Sequence, residues 1–252
     1  MTGRVAHIWR HPIKSHGREA LDEVTLEAGR TMPWDRTWAV IHDAARYDTE
    51  TPQWAPSAQF SRCAKTASLQ AITARLDEAA RRVTLAHPDR PDLTIAPDDP
   101  ADNARFIDWV TPLCDPQRAL PARIVQAPGR GMTDTDFPSI SLINLASHRA
   151  LSQRLGREIS PLRWRGNLIL DGLGPWEEFE WIGRTLRIGT AELTVRERTV
   201  RCLATTASTR TGKRDADTLG TLEAGWGHRD FGVYAEVTAP GRIATGDTVE
   251  PL

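Results

Sequence analysis

In the stretch Glu197-Arg-Thr-Val-Arg-Cys-Leu-Ala-Thr-Thr-Ala-Ser-Thr-Arg-Thr-Gly212, a single cysteine, Cys202, follows an alternating strand-like segment and opens a polar loop that ends on glycine. Arg196, Arg198 and Arg201 crowd that thiol in sequence, and positive charge stabilises the thiolate, the form that ligates a metal or attacks an electrophile. Leu203, Ala204, Thr205 and Thr206 come next. Their hydroxyls and backbone N–H groups suit an anionic ligand beside the sulfur. The same cysteine also reads as a small buried hydrophobe at a strand end.

Outward from this loop the chain is rich in short β-branched or alternating segments separated by turn residues. Residues 5–9, 23–26, 37–41, 68–73 and 82–85 predict strands in a meander, with a hairpin around 76–82. The Pro- and Asp-rich stretch 86–100 predicts a loop with one edge strand near 93–95. Phe106, Trp109, Val110 and Leu113 fall at helical spacing within 102–113, which suits a helix packed on that sheet. A turn-rich stretch at 116–121 marks a boundary. Beyond it lie predicted strands at 122–126, 139–144, 167–170, 185–188, 193–197, 231–237 and 242–244. Ser147 reads as the N-cap of a helix running to Leu155, with Gly156 as its stop. The loop 128–138 is Gly-rich and polar, fit either to line a site or to serve as a mobile connector. Both halves read as β-barrel-like, with few helices.

Composition excludes several classes of function. With 252 residues the chain holds one large or two small domains. A net charge of −1 argues against a nucleic-acid binder. No apolar run approaches a membrane span and the N-terminus lacks a signal-peptide core, so the expectation is a cytoplasmic protein with no membrane partner. Three widely spaced cysteines, Cys63, Cys114 and Cys202, fit neither a disulfide framework nor a CxxC zinc site. His7, His11 and His16 read as exposed or capping residues more readily than as metal ligands, because Pro12 interrupts their strand. The glycines at 172–174 and the Thr211-Gly-Lys-Arg run fail the dinucleotide and phosphate-loop patterns. Of 32 basic residues only Lys14, Lys65 and Lys213 are lysine, so Lys14 stands out as a compact ammonium where the chain otherwise writes arginine.

Four further motifs accompany the cysteine loop: His11-Pro-Ile-Lys-Ser-His-Gly17, Trp34-Asp-Arg-Thr-Trp38, Trp164-Arg-Gly-Asn-Leu-Ile-Leu170, and Gly232-Val-Tyr-Ala-Glu-Val237 followed by Gly241-Arg-Ile-Ala-Thr-Gly-Asp-Thr-Val249. In this order, and over nearly the whole chain, they resemble the MOSC proteins, named for the C-terminal domain of molybdenum cofactor sulfurase. The closer likeness is to the branch of the mitochondrial amidoxime-reducing component and its bacterial relatives. The resemblance implies a mainly β (α+β) fold, a MOSC-type β-barrel over 119–252 packed against an N-terminal MOSC β-barrel-like domain over 1–118.

It also implies a cofactor, Mo-molybdopterin, with Cys202 as the protein's sulfur ligand to molybdenum and the catalytic residue. Lys14, Ser15 and Arg36 would hold the anionic pterin, as would Arg165 and Asn167 of the Arg-x-Asn motif. Asn144 and Ser147 lie on a segment that lines the same cavity in the family, although the family's acidic residue there is not matched. Taken alone, Arg36 could stack between Trp34 and Trp38, and Asn167 could cap the start of a strand. Relatives often read Asp-Pro after the two threonines, whereas this chain has Ala207 and Ser208. Some bacterial relatives carry a ferredoxin domain. With no four-cysteine cluster spacing here, electrons are expected from a separate protein, a ferredoxin, a cytochrome b5-like protein or a flavin reductase. Pyridoxal phosphate is not expected. The expected activity is reduction of an N-oxygenated small molecule such as an N-hydroxylated base or amidoxime; the alternative is a non-catalytic carrier in which Cys202 holds a persulfide or passes on the cofactor.

Overall fold

A computed structural model describes residues 3–252. The strands are β1 (Gly3–Arg10), β2 (Glu19–Leu21), β3 (Glu23–Leu26), β4 (Trp38–His42), β5 (Thr73–Asp77), β6 (Arg82–His87), β7 (Arg90–Ile95), β8 (Pro121–Gln126), β9 (Ile140–Asn144), β10 (Leu168–Asp171), β11 (Thr185–Ile188), β12 (Ala191–Val200), β13 (Asp230–Ala239), β14 (Gly241–Ala244) and β15 (Thr248–Pro251). The helices are α1 (Pro100–Val110), α2 (Leu145–Leu155) and α3 (Thr218–Trp226), so the protein is mainly β.

Seven strands close into a barrel in the order β10, β9, β13, β12, β11, β15, β1, with β1 returning to pair with β10 and β2 added beside β1. Closure leaves few unpaired edges. Alternation fills its interior: Ala191, Leu193 and Val195 of β12 and Val233, Ala235 and Val237 of β13 are all buried in one cluster with Val5, Ile8, Ile140 and Leu142. Strand β1 comes from the chain's first residues, so the sequence boundary near 116–121 does not coincide with a boundary in the hydrogen-bonded sheet. Pairing of β3 with β14 adds a second such crossing.

A second core joins α1, the β5–β6–β7 sheet and the β4–β8 pair, and contains Trp38, Val40, Leu69, Ile72, Val83, Leu85, Phe106, Trp109 and Val110. The helix-spaced aromatics Phe106 and Trp109 pack here as their spacing predicts. Asp99 caps α1 by accepting from the N–H groups of Ala101 and Asp102.

Several local expectations are corrected. Of the strands expected to form the N-terminal meander only β5–β7 do so, because β3 pairs with β14 and β4 with β8 across long sequence separations. Residues 67–71 form a 3-10 turn and the strand begins at Thr73. Buried Gln70 explains this, since its amide donates to the Arg163 carbonyl at 3.0 Å, a tertiary bond that no local pattern reveals. The cap of α2 is Asn144, not Ser147; its Oδ1 accepts from Ala146 N at 2.8 Å, and Gly156 ends the helix at φ 70° as expected. Helix α3 was not expected because Gly220 and Gly225 lower its intrinsic propensity. No described helix is long and apolar enough to cross a membrane.

Candidate functional site

On β9 and β13, Ile140, Leu142, Val233 and Ala235 point into the barrel, which places Ser141 and Tyr234 on the outside of its wall. There, facing the second core, lies a cleft of about 380 Å³. The barrel side contributes Ser141, Tyr234, Arg163, Arg165, the end of β12 from Glu197 to Val200 and, just after it, Arg201 and Cys202; the other side contributes Lys14, Ser15, Arg36, Cys63 and Asp134. Seven cationic side chains and two carboxylates line it, so the cleft favours an anionic occupant although the whole chain is nearly neutral.

The backbone under three of these residues is unusual. Ser15, Arg36 and Arg165 take φ of 64°, 52° and 52°, in the left-handed region that costs a non-glycine residue about 1 kcal/mol or more. Surrounding hydrogen bonds hold them there. Arg36 N donates to His11 O at 2.7 Å and Arg36 O accepts from Met132 N at 2.8 Å. The Arg36 side chain donates to the Arg165 carbonyl at 2.9 Å and to the Asp35 carboxylate. Half the non-glycine residues of positive φ among those described therefore meet in one cleft, a pattern characteristic of sites where geometry serves a ligand.

Burial shapes the charges. The Lys14 ammonium is buried, donates to Met132 O at 2.6 Å and to Asp134 Oδ1 at 2.5 Å, and is depressed by burial below the usual lysine range against the opposing pull of Asp134. Asp134 is half exposed, and the cations Lys14, Arg36 and Arg165 hold its carboxyl down to about 2. Tyr234 is pushed up to about 12 by burial and by the Asp134 charge, so its hydroxyl keeps its proton at neutral pH. Burial also raises the Cys63 thiol.

Several buried donors along this cleft have no partner in the protein. Arg165 Nη1, Arg163 Nε and Nη1, Ser141 Oγ and Thr199 Oγ1 are all without hydrogen bonds, and all four residues line the cavity. Buried polar groups are normally paired. Such a set fits a ligand rich in oxygens and nitrogens. Among the described residues no group of three His, Cys, Asp or Glu side chains is arranged to hold a metal ion, so a metal beside Cys202 would take most of its ligands from a bound organic group.

Lys14, Ser15, Arg36, Arg165 and Cys202 are thus brought together. Cys202 is exposed at the rim, just before the 3-10 turn Leu203–Thr206, with Val200 at 75% and Leu203 at 52% exposure beside it. Arg198 and Arg201 share the cleft with it, whereas Arg196 is drawn away to Glu236 at 2.9 Å. The remaining three candidates lie elsewhere. Asn144 and Ser147 are buried on the far side of β9, where Asn144 Nδ2 and Ser147 Oγ both donate to the Glu178 carboxylate at 2.7 and 2.9 Å. Asn167 is buried in the wall; it accepts from Ser141 N at 3.1 Å and donates to Trp9 O at 3.2 Å, splinting β9 to β1. Its contact with the cleft runs only through Ser141.

Arg36 does not stack between the tryptophans; the guanidinium over Trp34 and Trp38 is that of Arg81, at 5.1 and 5.7 Å from the ring centres. His11 and His16 are buried, not exposed, and only His7 lies at the surface. Asp134, Tyr234, Arg163 and Cys63 were not anticipated in the site. For Asp134 the polar loop 128–138 was a signal and Tyr234 lies within the Gly232–Val237 motif; for Arg163 and Cys63 no local pattern exists.

The MOSC N-terminal beta barrel domain matches residues 2–115 and the MOSC domain matches residues 132–250. A molybdenum cofactor sulfurase of Anopheles gambiae is 40% identical over 73 residues, a match covering 29% of this chain and only 9% of that protein. Among solved structures, the YuaD protein of Bacillus subtilis aligns over 99% of this chain and 94% of its own, at 13% identity and a TM-score of 0.49. YiiM of Geobacillus stearothermophilus aligns over 45% of this chain and 53% of its own, at 19% identity and a TM-score of 0.35.

Proposed function

We propose that this chain, which belongs to the MOSC proteins through both of its halves, binds molybdenum cofactor in the cleft and reduces N-hydroxylated small molecules with electrons from a separate redox protein. The observation that carries the reading is the set of unpartnered buried donors on Arg163, Arg165, Ser141 and Thr199 around a cationic cavity with one exposed thiol at its rim. A phosphorylated, hydrogen-bonding pterin with a soft metal-binding end has complementary chemistry.

In this reading Lys14, Ser15, Arg36 and Arg165 hold the anionic pterin and Cys202 is the protein's ligand to the metal. The bound cofactor supplies two-electron redox chemistry. The chain's own residues position and exclude. The Arg36 guanidinium, held by the Arg165 carbonyl at 2.9 Å, and the Arg165 guanidinium, held by the Gly17 carbonyl at 3.1 Å, have little freedom left to lose on binding. Tyr234, protonated at neutral pH, offers an O–H donor inside the cleft to a bound ligand.

The exposure of Cys202 favours a second reading. Two exposed aliphatic side chains, Val200 and Leu203, flank the thiol and would suit docking of another protein on a carrier that holds a persulfide or hands on the cofactor. The experiment that separates the two supplies reduced viologen to molybdenum-loaded protein and follows loss of an amidoxime. Turnover with viologen and none with NADPH alone supports the reductase. Full molybdenum occupancy without turnover, together with a persulfide mass on Cys202, supports the carrier.

A further inference from the structure

Beside the cleft lies a second cavity, of about 360 Å³, whose lining includes Arg62, Lys65, Arg118, His42, Phe60 and Thr66 and contains no carboxylate. Its charge is poorly compensated. Among the described residues no carboxylate lies within 4.0 Å of Arg62 or Lys65, and Arg118 meets only the half-exposed Asp115, at 3.5 Å. In the main cleft, by comparison, four of the seven cations meet a carboxylate, Lys14 with Asp134, Arg36 with Asp35, Arg163 with Asp215 and Arg198 with Asp230, while Arg62, Arg165 and Arg201 do not. Lys65 is also one of only three lysines in a chain that otherwise uses arginine, and Lys14, another of them, lines the neighbouring cleft.

Two further features point to a ligand. His42 Nε2 faces the Ala58 carbonyl at 2.8 Å and so carries the ring hydrogen, which leaves Nδ1 as a buried acceptor without a partner. A ligand hydroxyl would satisfy it. The cavity also adjoins the cleft: Arg62 lines both, and the Phe60 ring, which lines the second cavity, has Lys14 Nζ 5.8 Å from its centre.

We propose that this cavity is a second anion site, selective for a phosphoryl group on a molecule that also bears a hydroxyl, with Arg62, Lys65 and Arg118 as the cationic clamp and His42 Nδ1 accepting the hydroxyl hydrogen. The phosphoryl group has two possible sources, a free phosphate monoester or a second phosphoryl group on the molecule held in the main cleft. The site stands on its own charges and does not require the proposed reductase activity.

The test uses the full chain and the variants Lys65→Glu and Arg118→Glu, both outside the main cleft, with thermal melts to confirm that each folds. Calorimetric titration with inorganic phosphate and with ribose 5-phosphate at low ionic strength reads the free-ligand source; retention of molybdenum through gel filtration reads the cleft-ligand source. A loss of roughly tenfold or more in ribose 5-phosphate affinity in either variant, the scale of one charge-assisted hydrogen bond, assigns the site to a free monoester. Unchanged phosphate titrations with a comparable fall in molybdenum retention assign it to the cleft's own ligand. If both variants match the wild type in every titration and in retention, the proposal is overturned. Loss of molybdenum binding in the wild type would count against the proposed function while leaving the phosphate titrations to decide this site.

Discussion

Arg36 donates through Nη2 to the backbone carbonyl of Arg165 at 2.9 Å, joining two residues 129 positions apart that both sit in the left-handed region. The Arg36 side chain thereby holds the Arg165 backbone, and the bond ties the loop between β3 and β4 to the loop before β10. The strain is borne by positions whose side chains face a cavity and not the core. Arg165→Gly therefore removes a strained φ together with a buried guanidinium whose Nη1 has no partner, at the loss of its one bond, from Nη2 to Gly17 O at 3.1 Å. The expected outcome is a midpoint of thermal unfolding unchanged or higher in the cofactor-free protein, with cofactor occupancy sharply reduced. A destabilisation of several kcal/mol in urea would make Arg165 a structural residue.

The Lys14–Asp134 pair predicts an asymmetry. Asp134 is 53% exposed and can rehydrate when its partner is removed, whereas the Lys14 side chain is 4% exposed and cannot. Asp134→Asn should cost about 2 kcal/mol more than Lys14→Met, since it leaves a buried ammonium with only the Met132 carbonyl. Urea unfolding of the two variants at pH 7 checks the order. Equal costs would mean that the loop carrying Asp134 moves to compensate.

Acid sensitivity follows from two buried histidines. Burial, aided by the Arg165 charge, depresses His11 to about 3, and burial depresses His16 to about 4. Both folded-state values lie below the unfolded value, so the unfolded chain binds more protons in this window. The stability the neutral rings contribute is full above about pH 6.5 and is lost as pH falls toward 4. For His16, fully buried and edge-on to Phe106 at 5.5 Å, the loss approaches about 3 kcal/mol by pH 4. His16→Phe should flatten the pH dependence of stability over this range; an unchanged slope would assign the acid sensitivity to other groups.

Asn144 and Ser147 should behave as structural residues. Both donate to Glu178, whose carboxyl is raised by burial, and Ser147 Oγ also accepts from Trp176 N at 2.8 Å. Removing either partner leaves a buried carboxylate short of donors. Ser147→Ala should cost about 1–3 kcal/mol of stability and leave molybdenum content per folded molecule unaltered. A normal melting curve with reduced metal content would return Ser147 to the binding site.

How much of this was legible in sequence depends on the range of the interactions. The strand alternation of β12 and the helical spacing of Phe106 and Trp109 are local, and both elements form where the pattern places them. Motif residues Lys14, Ser15, Arg36, Arg165 and Cys202 share one cleft. Asn167 shows the limit of such reasoning: it sits in a motif, yet its amide is spent on Ser141 and Trp9 within the barrel wall. Tyr234 and Cys63 enter the cleft only because β13 turns its even-numbered face outward and a loop from another core covers it. Pairings such as β3 with β14 span more than two hundred residues and leave no local trace.

The central claim is that Cys202 is the protein's ligand to molybdenum. It is tested most directly by the molybdenum content of purified protein expressed with molybdate, comparing the wild type with Cys202→Ser and with Cys114→Ser. Cys114 is the proper control because Cys63 lines the cleft itself, whereas Cys114 lies outside it and its thiol donates to the Val110 carbonyl at 3.5 Å. The account predicts near-stoichiometric molybdenum in the wild type and in Cys114→Ser, and loss of the metal in a folded Cys202→Ser protein. Equal molybdenum in all three proteins, with catalytic turnover preserved in Cys202→Ser, would contradict it.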